Sequence, residues 1–93
     1  MEMELKRKHF RFYGQVQGVG FRYLARHGAA AVGATGWVRN EWDGTVSMEL
    51  QGTEEQIERV LALIERGHYV RIEAAEERQI PIEENERGFA ALG

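Results

Sequence analysis

HFRFYGQVQGVGFRYLARHGAAAVG, residues 9–33, changes its hydrophobic period midway, and that change decides how the chain folds. From His9 to Tyr13 apolar and polar residues alternate. Phe10 and Phe12 fall on one side and His9, Arg11 and Tyr13 on the other, which is the two-residue period of a strand. Gly14, Gly18 and Gly20 then break the alternation. From Phe21 the period becomes helical: Phe21, Leu24, Ala25, Gly28, Ala29 and Val32 share one stripe, and Gly33 supplies a stop. Gly28 sits badly in a helix, costing roughly 1 kcal/mol relative to alanine. A close helix–sheet contact would account for it.

Outward from this stretch, Thr35 to Asn40 reads as a second strand, and Asp43-Gly44 as a tight turn. Thr45 to Gln51 alternates again, with Val46, Met48 and Leu50 on one face. Thr53-Glu54-Glu55-Gln56 is a capping box opening a second helix. Ile57, Val60, Leu61 and Ile64 form its apolar stripe, and Gly67 ends it. Tyr69 to about Gln79 is a less regular strand, residues 81–87 a charged loop, and Phe89 to Leu92 a short extra C-terminal strand. The order βαββαβ, with two helices on one face of an antiparallel sheet, predicts an α+β fold of the ferredoxin-like sandwich type. No repeat or linker interrupts it, so residues 1–93 are expected to form a single domain.

Composition narrows the function classes. The chain has no cysteine, which excludes a disulfide framework and a cysteine zinc site. The N-terminal MEMELKRKHFRF lacks the apolar run of a secretory signal, and no stretch is long and apolar enough for a bilayer span. The expectation is a cytoplasmic protein with no membrane partner, a monomer by default. Net charge is −3, distributed unevenly. Residues 1–26 carry six basic and two acidic side chains, and residues 41–93 five basic and thirteen acidic. A basic N-terminal third favours a small anion, while the acidic remainder would repel a long polyanion. Both are equally readable as solvated surface.

The loop Gly14–Arg22, GQVQGVGFR, joins a strand to the start of a helix, where free amides and the helix dipole favour an anion. Glycines let successive amides converge on one oxyanion, although a strand-to-helix turn needs glycine for its own sake. Arg22 opposes the dipole in the first helical turn, a local rule broken at some tenths of a kcal/mol unless an anion is bound. A guanidinium there can grip phosphate bidentately. It can also be an ordinary surface arginine. Asn40 ends the second strand, in the same sheet as the first, within reach of the loop. Its carboxamide can hold a water against an electrophile, or simply serve the turn. His9, His27 and His68 lack metal-ligand spacing, so no metal is expected. Trp37 reads as sheet packing, Trp42 as turn aromatic or acyl-group wall, and Tyr23 as a helix-surface aromatic.

At these residues the chain resembles the acylphosphatase family. Phe12-Tyr13-Gly14-Gln15-Val16-Gln17-Gly18-Val19-Gly20-Phe21-Arg22 matches that family's loop signature. Gly36-Trp37-Val38-Arg39-Asn40, followed by Asp43-Gly44-Thr45-Val46, matches its second motif, and strong matching covers residues 10–52. The resemblance implies a ferredoxin-like fold, hydrolysis of a small-molecule acyl phosphate to a carboxylate and inorganic phosphate, and no required metal or organic cofactor. It implies that Arg22 and the amides of the 15–22 loop (Gln17, Gly18, Val19, Gly20, Phe21 and Arg22) hold the phosphoryl group. It also implies that Asn40 orients the attacking water. Ser47 stands where the family commonly has glutamate, and the C-terminal Phe89–Gly93 gives little indication of its packing near Arg22.

Three rivals remain at this point. An RNA-binding module of the same fold needs stacking aromatics and a basic sheet face. Phe10, Phe12 and Tyr13 suit it, but Thr45 to Gln51 has no aromatic and the net charge has the wrong sign. A non-catalytic phosphate-binding domain shares Arg22 and the loop. The terminal domain of hydrogenase-maturation carbamoyltransferases is also similar, but those precede zinc-binding cysteines that are absent here.

Overall fold

The computed structural model describes residues 4–93. β1 runs Lys6–Gln15, α1 Phe21–Val32, β2 Thr35–Asn40, β3 Val46–Gly52, α2 Glu54–Glu65, β4 Arg71–Ile80 and β5 Phe89–Leu92. The strands lie in the order β4-β1-β3-β2-β5. β1 pairs antiparallel with β3 and β4, and β2 pairs antiparallel with β3. The expected βαββαβ sandwich and its closing strand are both present. β5 runs parallel to β2, so the five-stranded sheet is mixed rather than wholly antiparallel.

Strand alternation builds the core. Phe10 and Phe12 of β1, Val38 of β2 and Val46, Met48 and Leu50 of β3 face the helices, each at most 3% exposed. Phe21, Ala25 and Ala29 of α1 and Ile57, Val60 and Ile64 of α2 close over them. Full burial contributes about 1.5–3 kcal/mol for each large side chain. Of the three aromatics that an RNA-stacking surface would need from β1, Phe10 and Phe12 therefore lie on the helix side, and only Tyr13 lies on the other face.

α1 ends as expected at Gly33, whose φ of 79° is left-handed. α2 opens with the expected capping box: Gln56 N donates to Thr53 Oγ1 at 3.2 Å, and Thr53 N to Gln56 Oε1 at 2.8 Å. Gln56 Nε2 also donates to Val32 O at 2.8 Å, tying the start of α2 to the end of α1. The close contact that demands Gly28 is helix–helix, not helix–sheet. A Cβ there would sit 3.0 Å from Leu63 Cδ2 and 3.6 Å from Val60 Cα, both on α2. The two helices lie side by side on the sheet, and small residues set their separation.

β1 is longer than its apolar alternation suggested, because β3 pairs with Lys6–Lys8 at one end and β4 pairs with Gly14–Gln15 at the other. On the helix-free face Arg7, only 2% exposed, donates to Glu49 and to Glu86, the latter at 2.7 Å. Gln51 and the Glu83 backbone exchange bonds of 3.0 and 2.9 Å. These contacts fold the 81–88 loop over the sheet. With Gly36 N donating to Gly88 O at 3.1 Å, they deliver β5 to the edge beside β2.

Candidate active site

The end of β1 with its loop, the end of β2, the start of β4 and the end of β5 all meet at one end of the sheet. Val16, 1% exposed, anchors the loop in the core. Gln17 Nε2 clips it to the β2–β3 turn, donating to Glu41 O at 2.7 Å and Thr45 O at 2.9 Å. Gly18 and Gly20 then take φ of 70° and 88°. A Cβ at either would meet nothing within 4 Å, so handedness of the backbone rather than room requires glycine.

Gly20 is the N-cap of α1, and no side chain caps that helix. The first intrahelical bond is Leu24 N to Gly20 O, at 3.0 Å. Among the described residues no backbone or side-chain acceptor takes the amides of Gly18, Val19, Gly20, Phe21 or Arg22. The first turn also carries no acidic side chain to answer the dipole.

A hollow of about 200 Å³ opens against these amides, lined by Val16, Gly18, Gly20, Phe21, Arg22, Tyr23 and Asn40. The structure thus brings Arg22, Asn40, Gly18, Gly20 and Phe21 together. Gln17 and Val19 do not line this hollow. The Gln17 side chain turns to the hairpin and Val19 packs on the core, and both border a neighbouring depression. Arg22 Nη1 donates to Leu92 O at 3.0 Å and Gly93 O at 3.2 Å, so the C-terminal strand holds one nitrogen of the guanidinium. Its remaining donors have no described partner. Asn40 Oδ1 is buried with no hydrogen-bond partner among the described residues. Such an acceptor costs about 1–3 kcal/mol unless a ligand or water satisfies it.

The carboxylates nearest Asn40 in sequence are engaged elsewhere. A hydrogen bond from Ser47, and then Arg39, hold Glu41 below the usual glutamate range against its partial desolvation. The Thr45 hydroxyl and amide, then Arg11, do the same for Asp43. Neither lines the hollow. Among the described residues no group of three or more histidine, aspartate or glutamate side chains could hold a metal ion. Trp42 is 94% exposed, and Trp37 lies under the Arg39 guanidinium at 5.1 Å.

Sequence reasoning missed three contributors. Tyr23, read as a surface aromatic, lines the hollow while stacking on His27 at 5.9 Å. Gln17 works through its side chain as a clip, a long-range contact with no spacing signal. The carbonyls of Leu92 and Gly93 hold Arg22, and a backbone oxygen leaves no signature in residue type.

The acylphosphatase family model matches residues 8–91. The acylphosphatase of Clostridium acetobutylicum is 40% identical over 86 residues, covering 91% of this chain and 94% of that one. The crystal structure of acylphosphatase from Bacillus subtilis superposes with a TM-score of 0.85 at 25% identity, covering 97% of this chain and all of that one. The T. kodakarensis HypF structure matches with a TM-score of 0.80 at 29% identity, over 95% of this chain but 12% of that much longer one.

Proposed function

The chain belongs to the acylphosphatase family, enzymes that hydrolyse acyl phosphates, and from that premise we propose how this site performs the reaction. The phosphoryl oxygens of the substrate sit against the amides of Gln17 to Arg22, with Gly18 to Arg22 supplying donors that have no acceptor of their own. Arg22 adds charge-assisted bonds from the nitrogens that Leu92 and Gly93 leave free. Each such bond contributes about 1.5–3 kcal/mol, and more as charge grows on the equatorial oxygens in the transition state.

Asn40 Oδ1 accepts one hydrogen of a water molecule, which aims the water's lone pair at phosphorus. The water oxygen bonds to phosphorus as the bridging oxygen departs with its electron pair, giving a carboxylate and inorganic phosphate. A non-bridging phosphate oxygen takes the water's proton. A carboxylate is stable as an anion, so the leaving group needs no acid. Phosphoryl transfer asks chiefly for positioning and for stabilisation of charge, which suits a site without a free base.

One observation carries this reading: an orphaned, buried Asn40 acceptor shares a small hollow with Arg22 and a run of unengaged amides. Steady-state hydrolysis of benzoyl phosphate with chelator present tests it. Wild type is expected to keep full turnover, and Arg22→Gln to lose on the order of 10²-fold or more in kcat/KM. Turnover abolished by the chelator, or undiminished in Arg22→Gln, overturns it.

A further inference from the structure

A second depression, about 590 Å³, lies beside the phosphoryl hollow and shares Gly18 with it. Gln15, Gln17, Val19, His68, Tyr69 and Arg71 form its other walls. None of these is acidic, although the chain carries 15 acidic residues and a net charge of −3. Arg71 has no ion-pair partner among the described residues. Tyr69 is 68% exposed, with the His68 ring edge-on to it at 4.7 Å.

Topology fixes which side of the loop this depression occupies. β1 lies between β4 on one side and β3 with β2 on the other. Asn40 ends β2, whereas Arg71 begins β4, paired with Gln15 of β1. The loop after β1 therefore separates Asn40 from Arg71. Displacement at phosphorus runs in line, with nucleophile and leaving group on opposite sides. A water held by Asn40 sends the acyl group away from β2, towards β4. The first hollow, about 200 Å³, opens onto the larger depression of about 590 Å³ at Gly18, which lines both.

We propose that the depression between the loop and the start of β4 receives the acyl part of the substrate and favours acyl groups that carry a second, anionic substituent at their far end. This rests on the site reading above. Val19 and the Tyr69 ring supply apolar walls for the carbon skeleton, and Arg71 is the specificity-determining residue facing the distal anion. A concave, acid-free surface with one unpaired guanidinium concentrates an anion that the rest of this acidic chain repels.

The test compares 4-carboxybenzoyl phosphate with 4-methylbenzoyl phosphate, which differ in the distal charge and little in shape. In wild type at low salt, kcat/KM is expected to favour the carboxylate by about fivefold, a ratio that shrinks at high salt. Arg71→Gln brings the ratio close to one, and Arg71→Glu takes it below one. A wild-type ratio of one, or the same ratio in Arg71→Gln, overturns the proposal. Acetyl phosphate separates the two failures. If wild type hydrolyses it while showing no preference between the aryl substrates, the acyl subsite alone is wrong; if wild type hydrolyses none of the three, the reading of the site falls with it.

Discussion

Replacing Asn40 with alanine should damage activity and spare stability, and the structure sets both magnitudes. Asn40 Oδ1 is buried without a partner among the described residues, which costs about 1–3 kcal/mol wherever no water satisfies it. Truncation removes that cost and forfeits the packing of a small, partly buried carboxamide, worth about 1 kcal/mol. The net change lies between zero and about 2 kcal/mol in favour of the folded state. For a chain of 93 residues, 1 kcal/mol moves Tm by about 4–8 °C. Thermal unfolding followed by circular dichroism should therefore give an unchanged or higher Tm. In the same preparation, turnover of benzoyl phosphate should fall by about 10²–10³, the loss seen when one oriented hydrogen-bonding group is removed from a transition state. Opposite signs for stability and activity are the signature of a strained functional group. A variant that melts 10 °C or more below wild type, or that turns over at the wild-type rate, would refute the reasoning: the first means that Oδ1 was satisfied within the protein, the second that it handles no water.

Three further outcomes are expected. Gly36→Ala should destabilise by about 4 kcal/mol or more, because the position has φ of 143° and a Cβ would come within 2.8 Å of the Glu49 carbonyl carbon; a denaturant midpoint equal to wild type would contradict this. Gln17→Leu removes the two bonds from the loop to the β2–β3 turn, so stability should fall by about 1–2 kcal/mol and KM should rise severalfold, with no change in either meaning that the clip is not needed. Glu41, Asp43, Glu49 and Glu54 are held below the usual carboxylate range: Glu41 by Ser47, Asp43 by Thr45, Glu49 by His9 and Arg7 against its own burial, and Glu54 by Lys8. The unfolded chain binds their protons first, so this stabilisation is complete above the unfolded values, about 3.9 for the aspartate and about 4.3 for the glutamates, and is lost as pH falls through the lower folded values. The urea midpoint should drop on acidification below about pH 4.3, and a rise there would show the sign to be wrong.

Where a residue's surroundings are local, the sequence carried them. Phe10 and Phe12 announce their face by period, Thr53 and Gln56 name both halves of a cap, and the positions of Gly18, Gly20 and Gly33 mark left-handed backbone. Long-range partners left no such mark. Arg7 is a charged residue in a polar run, and its burial depends on Glu86, which arrives 79 residues later. Nearly all of β4 is exposed along an edge, so its pattern is weak. Gly28 signalled a close contact, but the choice of helix or sheet as its neighbour depended on packing. At the site, Arg22 stood out because it violates a local electrostatic preference. Asn40 was legible from its place at the end of the second strand only as a water-holding carboxamide or a turn residue, and the family resemblance favoured the first. What distinguishes it, a buried oxygen without a partner among the described residues, is a property of three dimensions.

The account depends most on the amides after β1 and Arg22 forming one socket for a phosphoryl group, with Asn40 at its edge. Titration of the ¹⁵N-labelled protein with inorganic phosphate, in the presence of chelator, reads those groups one by one. The amide signals of Gly18 to Arg22 and the Asn40 side-chain amide should move together and saturate with a single dissociation constant. Saturable shifts confined to surfaces elsewhere, such as that around Arg11 and Arg78, with the loop signals unmoved, would contradict the account.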